Sequence, residues 1–115
     1  MDSFEITVQE LENVVIFGVK GYFAQEAGDE LRRRAEPILK AEKFNIIVDL
    51  SACSIISSPG VAQLMDLTFS ILDDYKGKVV ICGLDALKTK VLKLAGIIPV
   101  VETCENLEES KEFFK

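Results

Sequence analysis

Three consecutive stretches decide how this chain folds: Asn45-Ile-Ile-Val-Asp-Leu50, then Ser51-Ala-Cys-Ser-Ile-Ile-Ser-Ser-Pro-Gly60, then Val61-Ala-Gln-Leu-Met-Asp-Leu-Thr-Phe-Ser-Ile-Leu-Asp-Asp-Tyr75. The first is short, β-branched and bounded by polar residues, the pattern of a buried strand. The second is polar punctuation that ends in Ser57-Ser58-Pro59-Gly60. Proline suits the first helical position, where its missing N–H has no partner to lose. Ser58 in front of it suits the N-cap, its hydroxyl accepting from an N–H of the first turn. In the third, Val61, Leu64, Met65, Thr68, Leu72 and Tyr75 recur on one side of a helix, and Gln63, Asp66, Ser70, Asp73 and Asp74 on the other. A buried strand thus delivers the chain to a helix start bearing two serines.

Working back toward the N-terminus, Phe4, Ile6 and Val8 alternate with polar residues, a half-buried strand. Leu11-Glu12-Asn13 is a short link with a turn-forming Asn, and residues 14–20 form a second β-branched run, so the two make an antiparallel hairpin. Gly18 and Gly21 mark a bulge or the strand's end. Residues 24–42 read as a helix with Ala27, Leu31, Ala35 and Ile38 as its apolar stripe. Pro37 predicts a kink or a break there. Arg32-Arg33-Arg34 reads as a solvated face balanced by Glu30 and Glu36 in preference to an anion patch.

Toward the C-terminus, Lys76-Gly77-Lys78 is a turn and Val79-Val80-Ile81-Cys82 another buried strand. Asp85 is the expected N-cap of a helix whose apolar side is Leu87, Val91, Leu94 and Ala95, with Lys88, Lys90 and Lys93 off it and Gly96 as its stop. Pro99-Val100-Val101-Glu102 is expected to be a short edge strand. Asn106 is expected to cap a last helix over 107–114 that turns Leu107, Ser110, Phe113 and Phe114 inward. The element order is ββαβαβαβα, an α/β fold: a small mixed sheet, opened by an antiparallel hairpin and continued by parallel strands, packed with about four helices.

The 115 residues suffice for a single domain with one core, expected to span 1–115. A hydrophobic share of 49% with 28% charged residues belongs to a globular chain and argues against disorder. The net charge of −6 argues against nucleic acid as the main ligand, because phosphate binding needs a cationic face. No run approaches the ~18 apolar residues of a membrane span. The acidic start Met1-Asp2-Ser3-Phe4-Glu5 is unlike a signal peptide, so the expected location is cytoplasmic. Cys53, Cys82 and Cys104 are odd in number and widely spaced, which suggests neither a disulfide framework nor a zinc site. They read as small buried hydrophobes.

Catalytic signatures are missing. The chain contains no histidine, the commonest general base and metal ligand. Neither a phosphate-binding glycine loop nor a nucleophile elbow occurs. Asp49 ends a strand as the acceptor of a receiver domain would, but the first strand leads into a hairpin and not a helix. Asp49 reads as a strand-end residue bonding local N–H groups. No enzyme activity and no cofactor are expected. What remains is the helix start, where free N–H groups and about half a positive charge would stabilise an added phosphate. Plain capping explains the same four residues, and taken alone they favour it.

The wider arrangement resembles a STAS domain of the anti-sigma factor antagonist (anti-anti-sigma factor) family. The resemblance rests on the hairpin with Gly21 after its second strand, the strand ending in Asp49-Leu50-Ser51, the segment Ile55-Ile56-Ser57-Ser58-Pro59-Gly60-Val61, and Leu94-Ala95-Gly96-Ile97 before a short strand and helix. It covers nearly the whole chain. It implies a regulatory binding module that engages an anti-sigma factor, often also a serine protein kinase, and is released by phosphorylation of a serine at the start of the central helix.

The family pattern at that helix start is Asp-Ser-Ser/Ala-Gly-Leu. Its aspartate falls on Ser57, its first serine on Ser58, and the usual acceptor on Pro59, which has no hydroxyl. The aspartate of the turn after the second strand falls on Ala24. Either the switch has moved to Ser58, with Ser57 the other candidate, or it is lost and the contact is constitutive. The resemblance implies a partner surface of Ser57, Ser58, Pro59, Gly60, Val61, Gln63 and Asp66. An alternative is a STAS module that senses a nucleotide, anion or lipid, or a scaffold without a sigma-factor role. The oligomeric state is not legible.

Overall fold

The computed structural model describes residues 3–115, so the acidic start at Met1-Asp2 lies outside the described residues. Six strands form one mixed sheet: β1 (Phe4–Glu10), β2 (Val15–Phe23), β3 (Asn45–Asp49), β4 (Cys53–Ile56), β5 (Lys78–Cys82) and β6 (Glu102–Cys104). Four helices accompany them: α1 (Gln25–Lys40), α2 (Ser58–Phe69), α3 (Ala86–Leu94) and α4 (Leu107–Glu112). The sheet order is β1-β2-β3-β5-β6, with β4 paired to β2 beyond the end of β3. Only the opening hairpin is antiparallel; the pairs β2–β3, β2–β4, β3–β5 and β5–β6 are parallel. This is the mixed α/β sheet that the apolar runs predict.

The register aligns Phe17 with Val48 and Val48 with Ile81 on one face, and Ile16 with Ile47 and Ile47 with Val80 on the other. The first face is covered by α1, α2 and α3, through Leu31, Ala35, Leu64, Leu67 and Leu92 among others. The second carries a smaller cluster of Val14, Ile16, Ile47, Val80 and Cys82, closed by Leu107 and Phe114 at the α4 end. Residues buried on both sides of a strand give continuous apolar runs instead of alternation, which is why β3 and β5 are so plain in the sequence. Each such side chain taken from water contributes about 1.5–3 kcal/mol.

Several expectations need correction. β4 lies within what reads as punctuation. Its burial runs buried, exposed, exposed, buried, which has no strand period, because the pairing slips between Gly21 and Tyr22. The extra residue is Ser54 of β4, since Gly21 and Tyr22 pair with Cys53 and Ile55, and Gly21 opposite it has φ +81°, a conformation open to glycine. Pro37 does not end α1, which continues to Lys40. Its missing N–H removes one bond in the last turn, while its carbonyl still accepts from Ala41 N at 3.0 Å. Ile98–Val100 forms a 3₁₀ turn in place of a strand, and the edge strand starts at Glu102. α2 gives way at Ser70–Asp74 to a π-helical turn, and along the two the buried row includes Leu67 and Ile71, while Met65, Leu72 and Tyr75 are half-buried. Phe113 of the last helical stretch is exposed.

The largest correction concerns α3. Its buried residues are Lys88 and Leu92, whereas Leu87 and Leu94 are 63% and 80% exposed. Lys88 turns inward because Asp85, the N-cap, meets it: Nζ lies 2.8 Å from Asp85 Oδ2. An ion pair satisfies the ammonium group where burial alone would be costly.

Candidate functional site

The parallel pairing of β2 with β4 sets Tyr22 against Ile55 and Phe23 against Ile56. Ser57 follows with an extended backbone and donates its N–H to Phe23 O at 2.9 Å. The first intrahelical bond runs from Val61 N to Ser57 O, 2.9 Å. Ser57 is therefore the N-cap, and its Oγ accepts from Gly60 N at 3.4 Å. The sequence expectation placed the cap on Ser58, one residue late. Ser58 is instead the first helical residue and Pro59 the second.

Gly60 is required by packing. A Cβ there would lie 2.1 Å from Phe23 O, a backbone atom that cannot move aside. The helix start is thus pressed onto the end of β2. Gly60 and Val61 are buried, Ser57 is half-buried, and Ser58 and Pro59 are exposed. Beside them Ile55 is 50% exposed, an apolar side chain at the same surface that the sequence hid inside an apolar-looking pair. Among the first three helical residues, Pro59 has no N–H and that of Gly60 is taken by Ser57, which leaves the N–H of Ser58. The helix end keeps its partial positive charge with no acidic residue in its first turn.

Gln63 and Asp66 lie farther along α2 and face α1. Arg32 Nη1 donates to Gln63 Oε1 at 3.1 Å and stands 3.6 Å from Asp66 Oδ2. The remaining arginines of α1 pair within their own helix, Arg33 and Arg34 both with Glu30, as a solvated face would. Exposed pairs of this kind contribute little to stability, but they offset local charge. One of the three acids on the polar face, Asp66, is therefore offset by the neighbouring helix, and the uncompensated pair is Asp73 and Asp74 in the π-helical turn that follows α2, where Ser70 Oγ donates to Asp74 at 3.3 Å. A cleft of about 380 Å³ opens between the two helices, lined by Asp29, Arg32, Arg33, Glu36, Gln63 and Tyr75 among others. Its two cations face two acids, so it offers no single-sign field for an anion.

Asp49 takes the role expected of it: Oδ1 accepts from Ser51 N at 3.0 Å and from Ser51 Oγ at 2.7 Å. The second helix start is more strongly capped than the first. Asp85 Oδ1 accepts from Lys88 N at 2.7 Å. The Lys88 side chain first, then its backbone N–H, hold the Asp85 carboxyl below the usual carboxylate range. Nearby, burial pushes the Cys53 thiol up, with Lys88 opposing. The three cysteines are free, and among the described residues no helix is long and apolar enough to cross a membrane.

An anti-sigma factor antagonist from Mycobacterium paratuberculosis has a solved structure that superposes with a TM-score of 0.82 at 18% identity, covering 98% of this chain and 95% of that one. A variant of Moorella thermoacetica RsbS gives 0.81 at 12% identity, covering 95% and 93%. The phosphorylated form of the Bacillus cell fate determinant SpoIIAA gives 0.74 at 17% identity, covering 98% and 100%. At these identities the likeness is one of fold. No curated protein matches the sequence. The model of the STAS domain matches residues 5–110, and with nearly the whole chain so matched, this protein belongs to the STAS domain family.

Proposed function

We propose that this chain is a regulatory binding module of the anti-sigma factor antagonist type, acting in the cytoplasm by protein contact and not by catalysis. Its partner is an anti-sigma factor that is also a serine protein kinase. The contact is centred on Ser57, Ser58 and Pro59, flanked by Ile55, and continues along α2 to Gln63 and Asp66. Gly60 and Val61 contribute by fixing the backbone from inside. The observation that carries this reading is an exposed Ser58-Pro59 pair beside a half-exposed Ile55, at a helix start held rigidly on β2. A rigid apolar side chain rimmed by polar groups is the composition of a contact centre.

The contact is fixed and not phospho-switched. Pro59 stands where the family's acceptor serine would be, and Ser57 already occupies the Gly60 N–H that a phosphate would seek. One observation favours the other reading: Ser58 is exposed at the helix N-terminus, where a phosphate gains from the local dipole. Affinity capture from the source lysate, followed by incubation of the captured kinase with ATP and site mapping, tests both. Recovery of an anti-sigma factor kinase without labelling of the bait is the expected result. Label on Ser58 that disappears in Ser58→Ala would restore the switch. Recovery of no such partner, with thermal stabilisation by a nucleotide, anion or lipid, would replace the proposal with a ligand-sensing module.

A further inference from the structure

Cys82 and Cys104 end neighbouring strands. They are register partners of the parallel β5–β6 pair, and both lie on the α4 side of the sheet, where Cys104 packs against the cluster that holds Cys82. The buried Ser110 hydroxyl is 3.0 Å from Cys104 Sγ. Adjacent strands run about 4.8 Å apart, within the Cα separation of about 4.4–6.8 Å that a disulfide spans. β6 is only three residues long and lies at the sheet edge, so it has room to close the remaining gap.

The two thiols are not equivalent. Cys82 is fully buried, and burial pushes its thiol up to about 12. Cys104 is half-buried and opens onto a surface cleft of about 350 Å³, lined also by Leu84, Thr89, Thr103, Glu105 and Glu109. The two glutamates make that entrance acidic. Such an entrance disfavours an anionic oxidant relative to a small neutral one.

We propose that Cys82 and Cys104 form a redox-active dithiol that takes a neutral hydroperoxide as oxidant at Cys104 and closes to an intramolecular disulfide. In the first step Cys104 sulfur attacks one peroxide oxygen, the O–O bond breaks, and the other oxygen leaves as water or an alcohol with the thiol proton. Cys104 is then a sulfenic acid. In the second step Cys82 sulfur attacks Cys104 sulfur, the S–O bond breaks, and water leaves with the Cys82 proton. The peroxide is reduced by two electrons and the thiol pair oxidised by two. A dithiol reductant reverses the change. No cation faces Cys104 in the cleft, so the first step proceeds at the pace of an unassisted thiol.

Closure draws Cys104 away from Ser110 and ties the edge strand to β5. The test treats the reduced native protein with a molar excess of hydrogen peroxide, then alkylates it in denaturant and measures intact and peptide masses. Free thiols are expected to fall from three to one, with a Cys82–Cys104 linked peptide and the native pattern restored by dithiothreitol. Cys53→Ser should retain the linkage, and Cys104→Ser should abolish it. Cys82→Ala should leave Cys104 as a stable sulfenic or sulfinic acid; where that variant does not fold, Cys104→Ser decides. A linkage to Cys53, a disulfide between two chains, over-oxidised Cys104 beside a free Cys82 in the unaltered protein, or no loss of thiols would each overturn the proposal.

Discussion

Two helices of this protein follow parallel strands of the sheet, β4 and β5, and they begin differently. α3 starts from Asp85, whose carboxylate takes the Lys88 N–H at 2.7 Å and the Lys88 ammonium at 2.8 Å. α2 starts from Ser57, whose neutral hydroxyl takes the Gly60 N–H at 3.4 Å. Both chains are pressed onto a neighbour through a glycine: Gly60 onto Phe23 O and Gly83 onto Ser51 N, where a Cβ would come within 2.1 and 2.4 Å. The two starts are thus both pressed onto backbone but unequally satisfied. A charged cap closes the α3 start electrostatically. The α2 start is held in place yet keeps its positive end open, which is the condition a recognition surface needs.

The most severe way to break this comparison is Gly60→Ala. The new methyl would meet backbone, so the helix start must lift from β2, with an expected loss of about 3 kcal/mol. Urea unfolding measures it; a loss below about 1 kcal/mol would show that the start is not pressed down as described. The next largest effect is on binding. Ser58→Glu should weaken partner affinity about tenfold, about 1.4 kcal/mol, with the unfolding midpoint held or slightly raised by the helix dipole, while Ala86→Glu at the first position of α3 should leave affinity intact. Titration calorimetry with the captured partner reads both, and equal effects would remove the distinction between the two helix starts.

Ser57→Ala should cost about 0.5–1 kcal/mol, the low side of the range for a lost cap because the bond is long. A full loss of about 2 kcal/mol would mean that the long bond from the hydroxyl to Phe23 O, 3.5 Å, contributes as well. The mildest perturbation is Asp85→Asn, which sharpens the comparison through pH. The folded-state pKa of Asp85 is lowered, so its contribution is present above the unfolded carboxylate pKa and is lost as pH falls through the folded value. The variant should therefore be less stable than the wild type near neutral pH, and the two should converge below the ordinary carboxylate range. Urea midpoints taken across that range check it, and parallel curves would count against the Asp85–Lys88 pairing.

Much of the frame was legible because single residues determine it. Asp85 and Asn106 cap α3 and α4 as their side-chain chemistry predicts. Gly96 ends α3 with φ +83°, and the apolar runs of β3 and β5 could only be buried. What escaped depends on partners distant in sequence. β4 has no period of its own because Ser54 bulges out of the pairing opposite Gly21 and Tyr22. Lys88 reads as surface until Asp85 is seen to reach it, and its burial rolls α3 so that Leu87 and Leu94 face outward. At the candidate site the serine pair was visible, but which serine caps was decided by the bond from Ser57 N to Phe23 O. Ile55 could not be told from Ile56 without the strand that pairs with them.

The contact between α1 and α2 has a consequence for how the sequence can drift. A Cβ at Gly28 would fall 2.4 Å from Gln63 Cβ, and Gln63 in turn holds Arg32. Positions 28 and 63 therefore share one volume. A lineage that gains a side chain at 28 must lose the Cβ at 63 or draw α1 away from α2, and either change releases the arginine that offsets Asp66. Across relatives with this helix spacing, glycine at 28 should accompany any residue at 63 that carries a Cβ. Where it does not, the face of α2 beyond the helix start should carry a different charge, and the set of proteins it can meet should change with it.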